Sequence, residues 1–217
     1  GKFLNIPTIF SIILGLGYLK YKKAVDKISV IDRVQEIKES ENYIRLENIS
    51  VDYKNAVIAT EDHRFYSHSG IDILSIVRST YVNIRSKSLD YGASTITQQV
   101  GRLMYFSQEK SFIRKVSEIF VAFELEKNYS KNEILAIYVN SSYFGDGYYG
   151  IYDASQGYYE KSPINLTDYE VLMRPAKKAP VGTKLIFSEN LHCEVIENQE
   201  EIGGRIIRFN VGEGTLE

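Results

Sequence analysis

The chain opens on an uncharged run. Phe3 to Leu19 reads FLNIPTIFSIILGLGYL, and Lys20, Lys22 and Lys23 follow it. A bilayer core needs ~20 apolar residues to be crossed by a helix, so this run sits at the short end, and Asn5, Pro7, Thr8 and Ser11 weaken it. A cleaved signal peptide is the rival, yet Gly15-Leu16-Gly17 is a poor small-x-small cleavage site. A buried core helix fits less well, because nothing polar marks a face. The pattern predicts an uncleaved membrane anchor over 1–23. Three lysines after the run and Lys2 before it would, taken alone, keep the bulk of the chain inside.

Residues 24–50 are charged with scattered Ile, Val and Leu, the pattern of a juxtamembrane stalk. From Val51 the apolar positions become dense and helical in period. Thr95-Ile96-Thr97-Gln98, Ser130-Lys131-Asn132-Glu133 and Thr167-Asp168-Tyr169-Glu170 are capping boxes, each opening a helix. Between Arg114 and Leu125 most positions are apolar, which predicts a largely buried helix. No two-residue alternation is sustained before residue 180, so the class is mainly α. The tail, 174–217, differs: it holds none of the 17 tyrosines but the single Cys and 5 of the 15 glycines. It also holds short β-like runs, Lys184 to Phe187 and Ile206 to Phe209.

Composition narrows the function. With 26 Lys+Arg against 28 Asp+Glu the net charge is -2, without the basic excess of a nucleic-acid binder. One Cys excludes an internal disulfide framework and a thiolate-rich metal site, and three His leave little for a histidine-built one.

Three stretches could carry chemistry. In Glu61-Asp62-His63-Arg64-Phe65-Tyr66-Ser67-His68-Ser69-Gly70-Ile71-Asp72, acids crowd two histidines and a cation. A carboxylate against an apolar wall can serve as a general base, although a solvated helix end explains the spacing equally well. The histidines are five apart, not the four of a zinc-protease helix. Gly92 to Gln99, GASTITQQ, with Arg102 beyond it, offers a helix start whose free N–H groups can meet an anionic oxygen. An ordinary capped helix is the plainer reading. Arg114-Lys115-Val116-Ser117-Glu118 places a carboxylate on an apolar helix, where it needs a partner or a purpose. An intrahelical pair with Lys115 or Arg114 would suffice, and Lys110, Arg114 and Lys115 together could meet a phosphate. Gly145 to Gly150 spells G-x-G-x-x-G but follows a helix with no βαβ unit around it, so it is no dinucleotide site. Ser107-Gln108-Glu109-Lys110 spells S-x-x-K without the partner motifs of a penicillin-reactive serine.

Taken together, these stretches resemble the peptidoglycan glycosyltransferases, the family-51 enzymes found alone or as the N-terminal half of class A penicillin-binding proteins. EDHRFYSHSGID resembles the first family motif and GASTITQQ the second. RKVSEIFVAFELEKNYSKNEILAIYVN resembles the third, YFGDGYYGIYDASQGYY the fourth and LTDYEVLM the start of the fifth. The resemblance covers 51–173. It implies a lysozyme-like helical lobe with a smaller membrane-proximal lobe, on the extracytoplasmic face of a bacterial cell membrane. The implied substrates are lipid II and the nascent glycan strand, joined by an inverting transfer that makes a β-1,4 link and releases polyprenyl diphosphate. Membrane lipid and cell-wall synthesis proteins are the implied partners, with no nucleic acid.

By resemblance, Glu61 matches the catalytic base and Glu118 the second carboxylate. Asp62, Phe65 and His68 match site-shaping positions of the first motif. Ser94, Thr95, Gln98 and Gln99 match the second motif, and Arg114 and Lys115 the basic pair of the third. Arg102 stands where the family has lysine, which keeps the charge and changes its shape, and Leu103 stands where Asn is usual. No cofactor is required, though a divalent cation, Mg or Mn, could bridge diphosphate oxygens. After Met173, Pro175 would break the fifth-motif helix. Arg174 onward reads as a tail without family pattern, out of frame or misjoined, or else as the loss of a packing helix that would impair activity. A degenerate lipid II-binding member and a glycan hydrolase are the alternatives. The hydrolase has no need of diphosphate-facing cations.

Overall fold

A computed structural model describes residues 5–86, 93–107, 111–166, 182, 184–186, 191–199 and 204–211. In chain order its helices are α1 (Ile6–Val25), α2 (Val30–Lys38), α3 (Val51–Glu61), α4 (Ile73–Ser86), α5 (Ile96–Tyr105), α6 (Phe112–Asn128), α7 (Lys131–Ser141) and α8 (Ile151–Tyr159). The strands are β1 (Tyr143–Gly145), β2 (Tyr148–Tyr149), β3 (Lys184–Ile186), β4 (Leu191–Gln199) and β5 (Gly204–Val211). The described residues are mainly helical, as the periodicity predicts. They fall into two units, Gly1–Tyr43 with Arg64–Ser142, and Ile44–His63 with Tyr143–Glu217.

In the first unit α6 is the hub. It packs against α1, α2, α5 and α7, and α5 also packs against α7. Val121, Ala122 and Leu125 of α6, Ile96 and Val100 of α5, and Ile134, Leu135, Ile137 and Val139 of α7 are fully buried. Each large aliphatic among them contributes about 1.5–3 kcal/mol by leaving water. Gly101 brings α5 close: a Cβ there would lie 3.1 Å from the Val121 side chain. Two of the three expected capping boxes are present, Thr95 with Gln98 on α5 and Ser130 with Glu133 on α7. The third, Thr167 to Glu170, lies outside the described residues.

Residues 24–50, expected to form a stalk, contain α2. Val30 and Val34 are buried one turn apart on it, and α2 touches α6 and α7. Tyr105 Oη donates to the Ile28 carbonyl at 3.0 Å just before it, and Lys38 pairs with Glu133 at 3.3 Å just inside its end. Residues 24–43 of this stretch thus belong to the first unit, and 44–50 to the second.

Residues 6–19 of the uncharged run fold as the first part of α1. Asn5 caps it by accepting from the Thr8 N–H at 2.9 Å, with Pro7 in the first turn. Among the described residues no helix is long and apolar enough to cross a membrane, so the expected membrane-spanning helix is not seen. The physical reason is that α1 is not apolar all round. Its second half carries Lys20, Tyr21, Lys22 and Lys23, and one face docks on α6. Gly17 lies against Val116 with no room for a side chain, and Ser117 Oγ donates to the Gly17 carbonyl at 2.9 Å. Tyr18, Tyr21 and Phe120 stack at 5.3–5.9 Å between centroids, and Tyr21 Oη donates to Glu124 at 2.6 Å. The rest of α1 exposes Ile9, Phe10, Ile12, Leu14, Leu16 and Leu19.

In the second unit Ser50 caps α3, accepting from the Tyr53 N–H at 3.0 Å, while its own N–H donates to the Pro163 carbonyl at 3.1 Å. Tyr53, Ala56, Val57, Ile151, Ala154 and Leu166 are buried. The glycine string after α7 makes a β-hairpin. Tyr143 faces Tyr149, and the two-residue turn puts Asp146 at φ 47° and Gly147 at φ 88°. Both positive values are those of the turn that suits hairpin twist, which explains Asp-Gly without any nucleotide. In the tail β3, β4 and β5 form an antiparallel sheet in that order, with Leu185 opposite Cys193 and Cys193 opposite Phe209. The β-like runs read from the sequence fall on β3 and β5, Phe187 lying outside the described residues.

The α1–α6 seam has a direct test in two Gly→Ala substitutions. Gly15 faces open space and Gly17 faces Val116. Gly15→Ala should stabilise by up to about 1 kcal/mol through helix propensity. Gly17→Ala should destabilise by about 1–3 kcal/mol through overpacking. Denaturant unfolding of the two variants checks the opposite signs.

Candidate active site

The third-motif residues lie on α6. Ser111 caps that helix, accepting from the Arg114 N–H at 3.5 Å. Arg114, Ser117, Glu118, Val121 and Leu125 then recur on the buried face. Glu118 has no exposure. Arg114, one turn earlier, ion-pairs with its Oε1, and Lys115 reaches Oε2 at 2.9 Å. An uncompensated charge in such a place costs several kcal/mol, so the two cations are a condition of burying this carboxylate. Arg114 is itself buried, whereas the Lys115 side chain is 43% exposed. Lys115 also donates to Ser94 Oγ at 2.6 Å, which ties the third motif to the second. The cluster thus leaves a cation open to an incoming anion while its other side is fixed.

The second-motif residues divide by role. Thr95 Oγ1 accepts from the Gln98 N–H at 3.1 Å, and Gln98 Oε1 accepts from the Thr95 N–H at 3.1 Å. Thr95 Oγ1 also donates to the Gly70 carbonyl at 2.7 Å. Both residues are buried, so they build the start of α5 and hold the first-motif loop to it. Gln99 and Arg102 are half-buried on α5, and Arg102 Nε finds no hydrogen-bond partner among the described residues. Gly92 and Lys110 lie outside the described residues.

The first motif runs across both units. Glu61 ends α3 and is exposed, and Asp62 follows it, buried, its N–H donating to the Ile58 carbonyl at 3.0 Å. Both belong to the second unit. In the first unit Phe65 is fully buried in a 3₁₀ turn, with Lys131 Nζ 4.5 Å above its ring and the His68 ring edge-on at 6.3 Å. The first unit therefore gathers Phe65, His68, Ser94, Thr95, Gln98, Gln99, Arg102, Arg114, Lys115 and Glu118, and the second holds Glu61 and Asp62.

Asp72 is a working residue that the motif reading did not single out. It precedes the apolar run of α4, the place where a capping acid is expected. Its carboxylate accepts from the Ser75 N–H at 3.1 Å and the Ser75 hydroxyl at 2.6 Å, and Arg64 lies 3.4 Å away. Burial pushes its pKa up, but the Ser75 hydrogen bonds, with Arg64 and His68, outweigh burial and hold it below the usual carboxylate range. Thr97, Glu126 and Lys131 lie inside the quoted motifs, which do not single them out as site residues. Among the described residues no group of three His, Cys, Asp or Glu side chains is placed to hold a metal ion.

The first unit thus sets a buried carboxylate between two cations and joins it to a hydroxyl-rich helix start. Residues 27–182 match the transglycosylase family model, and the chain belongs to that family, the peptidoglycan glycosyltransferases. It is 40% identical over 139 residues to penicillin-binding protein 4 of Bacillus subtilis, covering 64% of this chain and 22% of that protein. It is 35% identical over 164 residues to a monofunctional glycosyltransferase of Staphylococcus epidermidis, covering 74% and 61%. Identity with penicillin-binding protein 1A of Vibrio cholerae is 42% over 146 residues, covering 67% and 18%. The chain thus spans less than two thirds of the length of each of these relatives.

Acid should weaken the fold through Asp72. Its native pKa is depressed, so its stabilisation is complete above the unfolded value of ~3.9 and is lost as pH falls through the lower native value. Asp72→Asn keeps a capping oxygen but loses the charge that faces Arg64, and should cost about 1 kcal/mol at pH 7 and flatten the fall in stability below about pH 4. Urea unfolding of both proteins at pH 7 and pH 3 reads the difference.

Proposed function

We propose that this chain polymerises lipid II into β-1,4 glycan strands by an inverting transfer that releases polyprenyl diphosphate. The observation that carries this reading is the Arg114–Glu118–Lys115 cluster with Ser94, on a chain of the transglycosylase family. Glu61 takes the proton from the acceptor 4-hydroxyl as that oxygen attacks the anomeric carbon of the growing strand. The bond to diphosphate breaks on the opposite face, and the lipid diphosphate departs with the bonding pair. Fixed cations lower the barrier to such a departure most where water is excluded. Lys115, held but half open, meets the diphosphate, and Arg114 keeps Glu118 compensated when Lys115 turns to it. No cofactor is required, and a divalent cation, Mg or Mn, would only add to the shielding of the diphosphate.

The same reading places the protein at a bacterial membrane, with residues 51–173 carrying the chemistry and 174–217 outside it. Two surfaces support that location. Helix α4 exposes Ile73, Val77, Tyr81 and Ile84 along one face, with Leu74 beside them, and α1 exposes its own apolar face. The apolar residues that α1 exposes, Ile9, Phe10, Ile12 and Leu16 among them, meet the bilayer surface, and lipid II is met at the interface.

Purified chain and labelled lipid II test the proposal. Polymer should form, and Glu61→Gln should lower kcat by about 10²–10⁴-fold with the fold intact. Cleavage of preformed glycan without polymer would show a hydrolase. No product from the folded wild type would show a binding member.

A further inference from the structure

We propose that Glu126 and Lys131 are positioning residues that pin the first-motif loop, Phe65 to Gly70, against α5 and α6 and so set the turnover rate. This rests on the polymerase reading above. Glu126 lies in the last turns of α6 and Lys131 opens α7. They pair at 2.6 Å, with side chains 12% and 19% exposed. Neither touches the Arg114–Glu118–Lys115 cluster: Glu126 sits eight residues along α6 from Glu118, ~12 Å by helix rise.

Four contacts converge on the pair and its neighbours. Thr97, fully buried on α5, donates its hydroxyl to Glu126 Oε1 at 2.6 Å. Lys131 Nζ stands 4.5 Å over the ring of buried Phe65. Next to it Asn132 Oδ1 accepts from Tyr66 Oη at 3.0 Å. At the far end of the loop Gly70 has φ 86°, and a Cβ there would come within 3.3 Å of Glu126 Cγ and 3.4 Å of Ala122. The Gly70 carbonyl is held in turn by Thr95. The start of the loop is therefore clamped by the first residues of α7, and its end by α6 and the cap of α5.

Burying a charge pair does little for net stability, since apolar residues of like size serve as well. A shielded polar network does fix one arrangement over its alternatives. The arrangement fixed here is that of a loop whose start follows Glu61 by four residues. Freedom gained by Phe65 would loosen the stretch of chain that leads to Glu61. Misplacement of a catalytic group by about 1 Å is enough for a ~10²-fold loss of rate.

The experiment compares wild type, Lys131→Met, Lys131→Arg, Glu126→Gln and Thr97→Val in the whole chain. It measures kcat and KM for lipid II, thermal unfolding, and hydrogen exchange of the 64–72 amides. Lys131→Met should lower kcat ~10–100-fold with KM within ~2-fold, and Lys131→Arg should recover kcat to within ~5-fold. Thr97→Val, which removes a single contact, should lose ~3-fold. Exchange at 64–72 should quicken in Lys131→Met and Glu126→Gln and not in Lys131→Arg. Unchanged kcat in folded Lys131→Met, a loss confined to KM, or no recovery in Lys131→Arg would overturn the proposal. Should the wild type make no polymer, the polymerase reading has failed, and the exchange result alone decides whether the loop is pinned.

Discussion

A carboxylate without access to water is tolerable in a protein only if positive charge is brought to it. Glu118 sets that requirement for the first unit. Arg114 answers it from one turn away on the same helix, and Lys115 answers it while also gripping Ser94. Once the charges are balanced, α6 can take its place at the centre, with α1, α2, α5 and α7 around it. The basic character of the site follows from the same balance, because one of the two cations stays within reach of solvent. Core and surface here share a cause: of the two cations that make the helix buriable, Lys115 is the one left open to an anion.

The polar residues near the site differ in what they can do. Thr95 and Gln98 engage each other and Gly70. Asp72 engages Ser75 and Arg64. These side chains orient helix starts and loops, and their donors and acceptors are already committed. Ser94 and Lys115 are the ones set at an open edge. The split has a simple origin, since a polar atom buried without a partner is costly and the deeper residues of each motif are the ones with partners within the fold.

Much of this was legible in the chain. The capping boxes at Thr95 and Ser130 are local, four residues long, and appear where the spacing puts them. The Arg114–Glu118 and Lys115–Glu118 pairs follow from helix spacing, and the Asp-Gly turn from dipeptide chemistry. What was hidden is what depends on residues far apart. Glu126 meets Thr97 across 29 residues and Lys131 across a helix boundary, at a separation no single helix explains. Val30 and Val34 gave too short an apolar stripe to stand out from the charges around them. Gly17 reads as one more uncharged position until Val116 and Ser117 are placed beside it. A membrane helix and a docked helix differ in one face, and hydropathy averages that face away.

The docking of α1 on α6 changes what its removal would mean. Cutting the chain after Val25, a common step in preparing a water-soluble enzyme, would bare Val116, Ser117 and Phe120 and leave Tyr21's acceptor, Glu124, without its phenol. The sample would gain solubility at one end and a sticky strip along its central rod at the other. Detergent dependence of a shortened preparation would then report a missing internal partner as much as a missing lipid.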